Sequence, residues 1–216
     1  MRKFAVILSG CGVYDGSEIH EATLALYALS KNGVDYECFA PDKNQHHVIN
    51  HLNGKEMNET RNVLIESARI ARGKIKPLTE YKAKNFDGVL FPGGFGAAKN
   101  LSTYAFDSTN MKVDPEVERV IKETHSEGKV IGALCIAPTL IAKVLGAKVT
   151  IGTDNNTAKH IEKLGGKHIN KEAIDVAIDE KNKIVTNPCY MNAASIFQVG
   201  QGAEAAVEAM IGLTKI

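Results

Sequence analysis

Short apolar runs rich in branched residues alternate along this chain with longer segments whose apolar residues recur at helical spacing. FAVILS (4–9), VDYECFA (34–40), DGVLFPG (87–93) and KVIGAL (129–134) read as strands, and 17–32, a segment around 59–70, 115–127 and 136–145 as helices. Such alternation predicts an α/β fold, with a mostly parallel sheet covered by helices on both faces and functional groups gathered at the carboxyl ends of the strands. Beyond residue 145 the pattern predicts a strand AKVTIG (147–152) and a polar helix DNNTAKHIEKLGG (154–166). Two further strands follow, DVAID (175–179) and KIVTNP (183–188), and a last helix from Asn192, its cap, to about Leu213. The stretch DEKNK between those strands reads as a hairpin turn, so a small antiparallel element is expected at the sheet edge. The polar insertion 42–57 and the segment 94–114 are candidate loops over a cleft.

Composition narrows the function without naming one. With 216 residues, 44% of them hydrophobic, the chain is expected to form a single domain over 1–216. A formal net charge of +1, carried in short mixed groups, lacks the basic stripe that tracks phosphates, so nucleic acid is not an expected partner. The first apolar run is shorter than a signal h-region of about 7–15 residues. No segment approaches the roughly 20 apolar residues of a membrane helix, so the expected location is the cytoplasm, with no membrane contact. Cys11, Cys38, Cys135 and Cys189 lack zinc spacing and are expected to stay reduced; neither a metal nor a cofactor is expected.

The stretch GKVIGALCIAPTLIA (128–142) concentrates the candidate chemistry. A buried strand runs into Cys135 and restarts as a helix with Pro138 in its first turn, the pattern of a nucleophile elbow. There the partial positive charge of the helix N-terminus favours thiolate over thiol. The competing reading makes Cys135 a buried small hydrophobe. FPGGFGAAKNL (91–101) offers glycine N–H groups for an oxyanion pocket, or merely a tight turn. LSGCGVYDGSEIHEA (8–22) is a second glycine-rich turn, with Glu18 and Glu21 on neighbouring positions of one helix face, either near the site or complementing the helix dipole. NPCYMNA (187–193) leaves Cys189 and Tyr190 near another strand end.

Taken together, ILSGCGVYDGSEIHE, FAPDKNQ, NVLIESARIARG, PGGFGAAKNLS, CIAP and TIGTD resemble the isoprenoid biosynthesis (enhancing lycopene biosynthesis, ElbB) family, part of the PfpI-type, class I glutamine-amidotransferase-like superfamily. The resemblance runs from about residue 4 to the final helix. It implies a flavodoxin-like three-layer sandwich with Cys135 as the reactive thiol and the backbone of Gly94 and Ile136 as oxyanion donors. It also implies a glutamate beside the thiol. Counting back from Gly33 selects Glu21 and counting forward from the first strand selects Glu18, so both stay as catalytic candidates. Gly93, Cys11, His20, Cys189 and Tyr190 are candidates to line the cleft. Relatives often form homodimers, and one is expected here.

The chain departs from the superfamily pattern at one point: Ile136, not histidine, follows the cysteine, and none of the seven histidines matches an amidotransferase motif. Glutamine hydrolysis thereby loses its expected base. The expectation is a cofactor-independent glyoxalase acting on a small aldehyde or dicarbonyl, glyoxal to glycolate, by thiolate addition. The alternative is a non-catalytic redox-sensing or partner-binding module using the same cysteine. A nucleotide-binding reading of GCG (10–12) ranks last, because Asp15 stands where the third glycine of G-x-G-x-x-G belongs.

Overall fold

The computed structural model describes residues 1–214. In chain order the elements are β1 (Lys3–Ile7), α1 (Ile19–Lys31), β2 (Asp35–Ala40), β3 (Ile49–Asn50), β4 (Lys55–Glu56), α2 (Val63–Ile70) and β5 (Ile75–Pro77). They continue with β6 (Gly88–Phe91), α3 (Phe95–Lys99), α4 (Tyr104–Asp107), α5 (Pro115–Ser126), β7 (Val130–Leu134), α6 (Pro138–Leu145) and β8 (Lys148–Val149). The last are α7 (Asn155–Lys163), β9 (Lys167–His168), β10 (Ala177–Asp179), β11 (Ile184–Asn187) and α8 (Ile196–Leu213).

Seven strands form one sheet in the order β10-β11-β7-β6-β1-β2-β5, parallel except for β10, which pairs antiparallel with β11 through the anticipated hairpin. This is the flavodoxin-like three-layer arrangement, and the period-two alternation of the strands builds it. Phe4, Val6 and Leu8 of the first strand region face α1 and α8, packing with Ala25, Leu29, Val199 and Val207. Ala5 and Ile7 face the opposite layer with Val117, Ile121, Leu140 and Ile141 of α5 and α6. The strand sequence reverses direction at β1, which has β2 on one side and β6 on the other. The carboxyl ends of β1, β6, β7 and β11 therefore lie side by side near this switch point, where such folds place their sites.

Several predicted boundaries move. The helix expected around 59–70 begins at Val63, because Asn62 is extended and caps it through its side chain on the Ile65 N–H at 3.0 Å. The last helix is capped by Ser195 rather than Asn192; the Asn192 amide instead bonds Thr153 and the Lys171 carbonyl. AKVTIG contributes only Lys148 and Val149, paired parallel with β9 in a separate two-stranded ribbon. The insertion 42–57 contains the β3–β4 hairpin and packs on 94–114, where the His46 ring lies 4.1 Å from that of Phe106. Among the described residues no helix is long and apolar enough to cross a membrane.

Candidate active site

Cys135 lies in the three-residue turn between β7 and α6, one residue beyond a strand buried on both faces. Its φ of +57° is left-handed, a conformation that costs a residue with a Cβ about 1–2 kcal/mol. Tertiary hydrogen bonds hold it there: the Cys135 N–H donates to the Asn187 carbonyl at 2.9 Å, and the Ala137 N–H closes the turn on the Leu134 carbonyl at 3.0 Å. Helix α6 starts at Pro138, not at Ile136, since a proline suits the first helical position and leaves 135–137 as the turn. The result is a strained elbow that aims the N–H groups of Gly94 and Ile136 at the sulfur.

The two glutamates divide their work. Glu18 is the N-cap of α1, and its carboxylate accepts from the Glu21 N–H at 2.7 Å. Glu21, one turn into the helix, is fully buried. Its Oε1 accepts from the Tyr190 N–H at 3.2 Å, while Oε2 is buried and turned toward Gly93 and the Cys135 thiol. Gly93 is the spacer that lets the carboxyl reach the thiol: a Cβ there would fall 2.3 Å from Cys135 Cβ and 2.4 Å from Glu21 Oε2. Gly94, with φ of +98°, permits the second close approach, its absent Cβ leaving room for the backbone of Ser17 and Glu18. The carboxyl beside the thiol is thus Glu21.

Burial pushes the Glu21 carboxyl up to about 8, opposed by the Tyr190 N–H and reinforced by the charge of Glu18. Burial also pushes the Cys135 thiol up, with repulsion from Glu21 added, and the Gly94 and Ile136 N–H groups only partly offset this. The expectation that the helix terminus would favour thiolate is therefore corrected: in a dry pocket beside a carboxyl, desolvation outweighs a few N–H dipoles. The pair behaves as one coupled titrating unit that resists holding two negative charges.

The other candidates surround this pair unequally. Cys189 is fully buried, with φ of +44°, and its thiol is raised chiefly by burial and then by the charges of Glu21 and Cys135. Tyr190 carries the N–H on Glu21, and its hydroxyl meets Nδ1 of the exposed His20 at 2.7 Å. His20 thus stands at the rim, joined to Tyr190 instead of to the thiol. Cys11 has a different environment: burial raises its thiol, with Glu66 and Asp15 adding to the rise and Arg69 opposing it. Sequence reasoning missed Asn187, whose signal was a polar residue closing a buried β-rich run immediately before a proline. Among the described residues no group of three or more His, Cys, Asp or Glu side chains is arranged to hold a metal ion.

Sheet order, elbow and buried thiol–carboxyl pair together define a protein with the glutamine amidotransferase-like class 1 fold and a cysteine at its centre. The chain belongs to the DJ-1/PfpI family, whose model matches residues 11–190. It is 50% identical to the human glutamine amidotransferase-like class 1 domain-containing protein 3, mitochondrial, over 98% of this chain and 83% of the human protein. The crystal structure of an isoprenoid biosynthesis protein with amidotransferase-like domain from Ehrlichia chaffeensis is 37% identical, covers 99% of both chains and superposes with a TM-score of 0.93. Glyoxalase III from Candida albicans, 17% identical with a TM-score of 0.61 over 99% of this chain and 98% of its own, shares the fold.

Proposed function

We propose that this protein is a cofactor-independent glyoxalase of the isoprenoid-biosynthesis branch of its family, converting glyoxal or a similarly small dicarbonyl to the hydroxy acid. The observation that carries the reading is the buried Oε2 of Glu21 set against Cys135 across Gly93. A carboxyl kept neutral into the mildly alkaline range can deliver a proton and, having done so, act as a base. Cys135 is only 8% exposed, which suits a two- or three-carbon substrate.

The chemistry balances with water as the only other reactant. Loss of one proton from the pair leaves a single charge, and in the thiolate tautomer the Gly94 and Ile136 N–H groups stabilise the sulfur. The thiolate adds to one aldehyde carbon, forming the S–C bond; the C=O pair moves to oxygen and takes the Glu21 proton, giving a hemithioacetal. The resulting carboxylate removes the hydrogen of that carbon, the hydroxyl proton passes to the neighbouring oxygen of the enediol, and the Glu21 proton returns at the neighbouring carbon. One carbon is oxidised and its neighbour reduced, leaving a hydroxyacyl thioester that water hydrolyses to glycolate and free thiol.

Ile136 after the cysteine and the pairing of His20 with Tyr190 argue against glutamine hydrolysis, which needs a histidine base at the thiol. Glycolate formation from glyoxal by the purified protein tests the reading. Turnover that depends on Cys135 and Glu21 is expected; absence of turnover, or turnover surviving Cys135→Ala, overturns it.

A further inference from the structure

Asn187 ends β11, is fully buried and has every hydrogen-bonding group of its side chain engaged. Its carbonyl accepts from the Cys135 N–H at the elbow. Its Oδ1 accepts from the Cys189 N–H at 2.8 Å, while Nδ2 donates to the carbonyls of Ala173 at 3.0 Å and Asp175 at 2.6 Å. The partners fix which end is oxygen and which is nitrogen, because an N–H faces one and two carbonyls face the other. Gly202 of α8 closes the remaining side: a Cβ there would stand 2.5 Å from Oδ1.

What Asn187 grips is a strained turn. Cys189 is left-handed, which a cysteine adopts when its surroundings impose it. The N–H that reaches Glu21 belongs to the next residue, Tyr190. With Oε1 tied to that N–H, Oε2 is the oxygen turned to Gly93 and Cys135. One buried amide therefore contacts the elbow through its backbone and the carboxyl's anchor through its side chain.

We propose that Asn187 is the positioning residue of this site, holding the Cys189–Tyr190 turn so that the Tyr190 N–H fixes Oε1 and leaves Oε2 facing Cys135. This rests on the reading of Cys135 and Glu21 as the working pair, yet it concerns the pair itself and not turnover. Asn187→Ala frees the turn and removes the Tyr190 N–H from the carboxylate. A charge-assisted hydrogen bond of ordinary strength is lost, which makes the first proton of the pair harder to remove by roughly one pH unit.

The test is the rate of Cys135 alkylation by iodoacetamide against pH, read site by site by mass spectrometry, in wild-type protein and Asn187→Ala. The midpoint is expected to move up by roughly one pH unit; an unmoved midpoint overturns the proposal. If Asn187→Ala does not fold, amide hydrogen exchange in the wild-type protein decides. Cys189 and Tyr190 amides protected like those of β11 support the clamp, and exchange at open-loop rates overturns it. The glyoxal assay runs alongside. A shifted midpoint without glyoxal turnover by wild-type protein refutes the functional reading and leaves the clamp standing; turnover with an unmoved midpoint does the reverse.

Discussion

Cys11 and Cys135 both follow a buried strand of the same sheet, both precede a helix, and both stand among glycines, yet only Cys135 occupies a short left-handed turn set against Glu21. After β1 the chain takes residues 8–18 to reach α1, and this loop folds back on itself, with the Gly12 N–H on the Ser17 carbonyl at 2.9 Å and the Gly16 N–H on the Gly12 carbonyl at 2.7 Å. The Gly10 N–H is taken by Ser67 Oγ at 2.8 Å. After β7 only residues 135–137 intervene, and the N–H groups of Ile136 and of Gly94 from the neighbouring strand end converge on the sulfur. A cysteine at a strand end is common to both. The short strained turn, facing a buried carboxyl, belongs to Cys135 alone of the two.

The largest effect should separate the two thiols directly. Cys135→Ala is expected to lower glyoxal turnover by more than about 10³-fold, whereas Cys11→Ala stays within about twofold of wild type in the same glycolate assay. Equal losses would erase the contrast. The two glutamates sharpen it next: Glu21→Gln should lower kcat by about 10²- to 10⁴-fold, the range of a lost general acid–base group. Glu18→Gln mainly weakens a helix cap, by about 1 kcal/mol in a denaturant titration.

Stability against pH gives a third and smaller effect. The folded protein holds the Glu21 proton up to about 8, while an unfolded chain releases it near the ordinary 4.5. Between those values the native state binds the extra proton, so stability from this group is complete below the unfolded value and declines as pH rises toward 8. Glu21→Gln removes the decline, and at pH 7 the variant should be more stable than wild type by about 3 kcal/mol, the gap closing below about pH 4. Urea titrations at the two pH values check this, and a gap independent of pH counts against a buried neutral carboxyl. Gly93→Ala should destabilise by about 1–3 kcal/mol, since its Cβ overlaps both members of the pair. The smallest effect is expected from His20→Phe, which breaks the bond to the Tyr190 hydroxyl at the exposed rim and should change kcat/KM by less than about tenfold.

Local pattern carried much of this molecule. The apolar runs of β1, β2, β6, β7 and β11, the hairpin before β11 and the placement of Cys135 between a strand and a proline-led helix all follow from short continuous apolar runs and from glycine and proline as stops. Two-residue strands such as β3, β4, β8 and β9 are too short to show a period, and each exists only because a partner segment pairs with it. Ser195 displaced Asn192 as the last cap because Asn192 found partners in Thr153 and Lys171, which lie far away in sequence.

The site divides the same way. The chain by itself determined that a cysteine would stand on a sharp strand-to-helix turn and that two other strand ends would be glycine-rich, because turn chemistry and helix starts depend on neighbouring residues; a glutamate beside the thiol was implied by the family resemblance alone. Only the tertiary structure decided that Glu21 reaches the thiol while Glu18 caps the helix, that burial pushes both Glu21 and Cys135 toward their neutral forms, and that Asn187 ties the elbow to the Tyr190 turn. Desolvation and through-space contact among residues 21, 93, 135, 187 and 190 set those outcomes, and neither exists until the four strand ends meet.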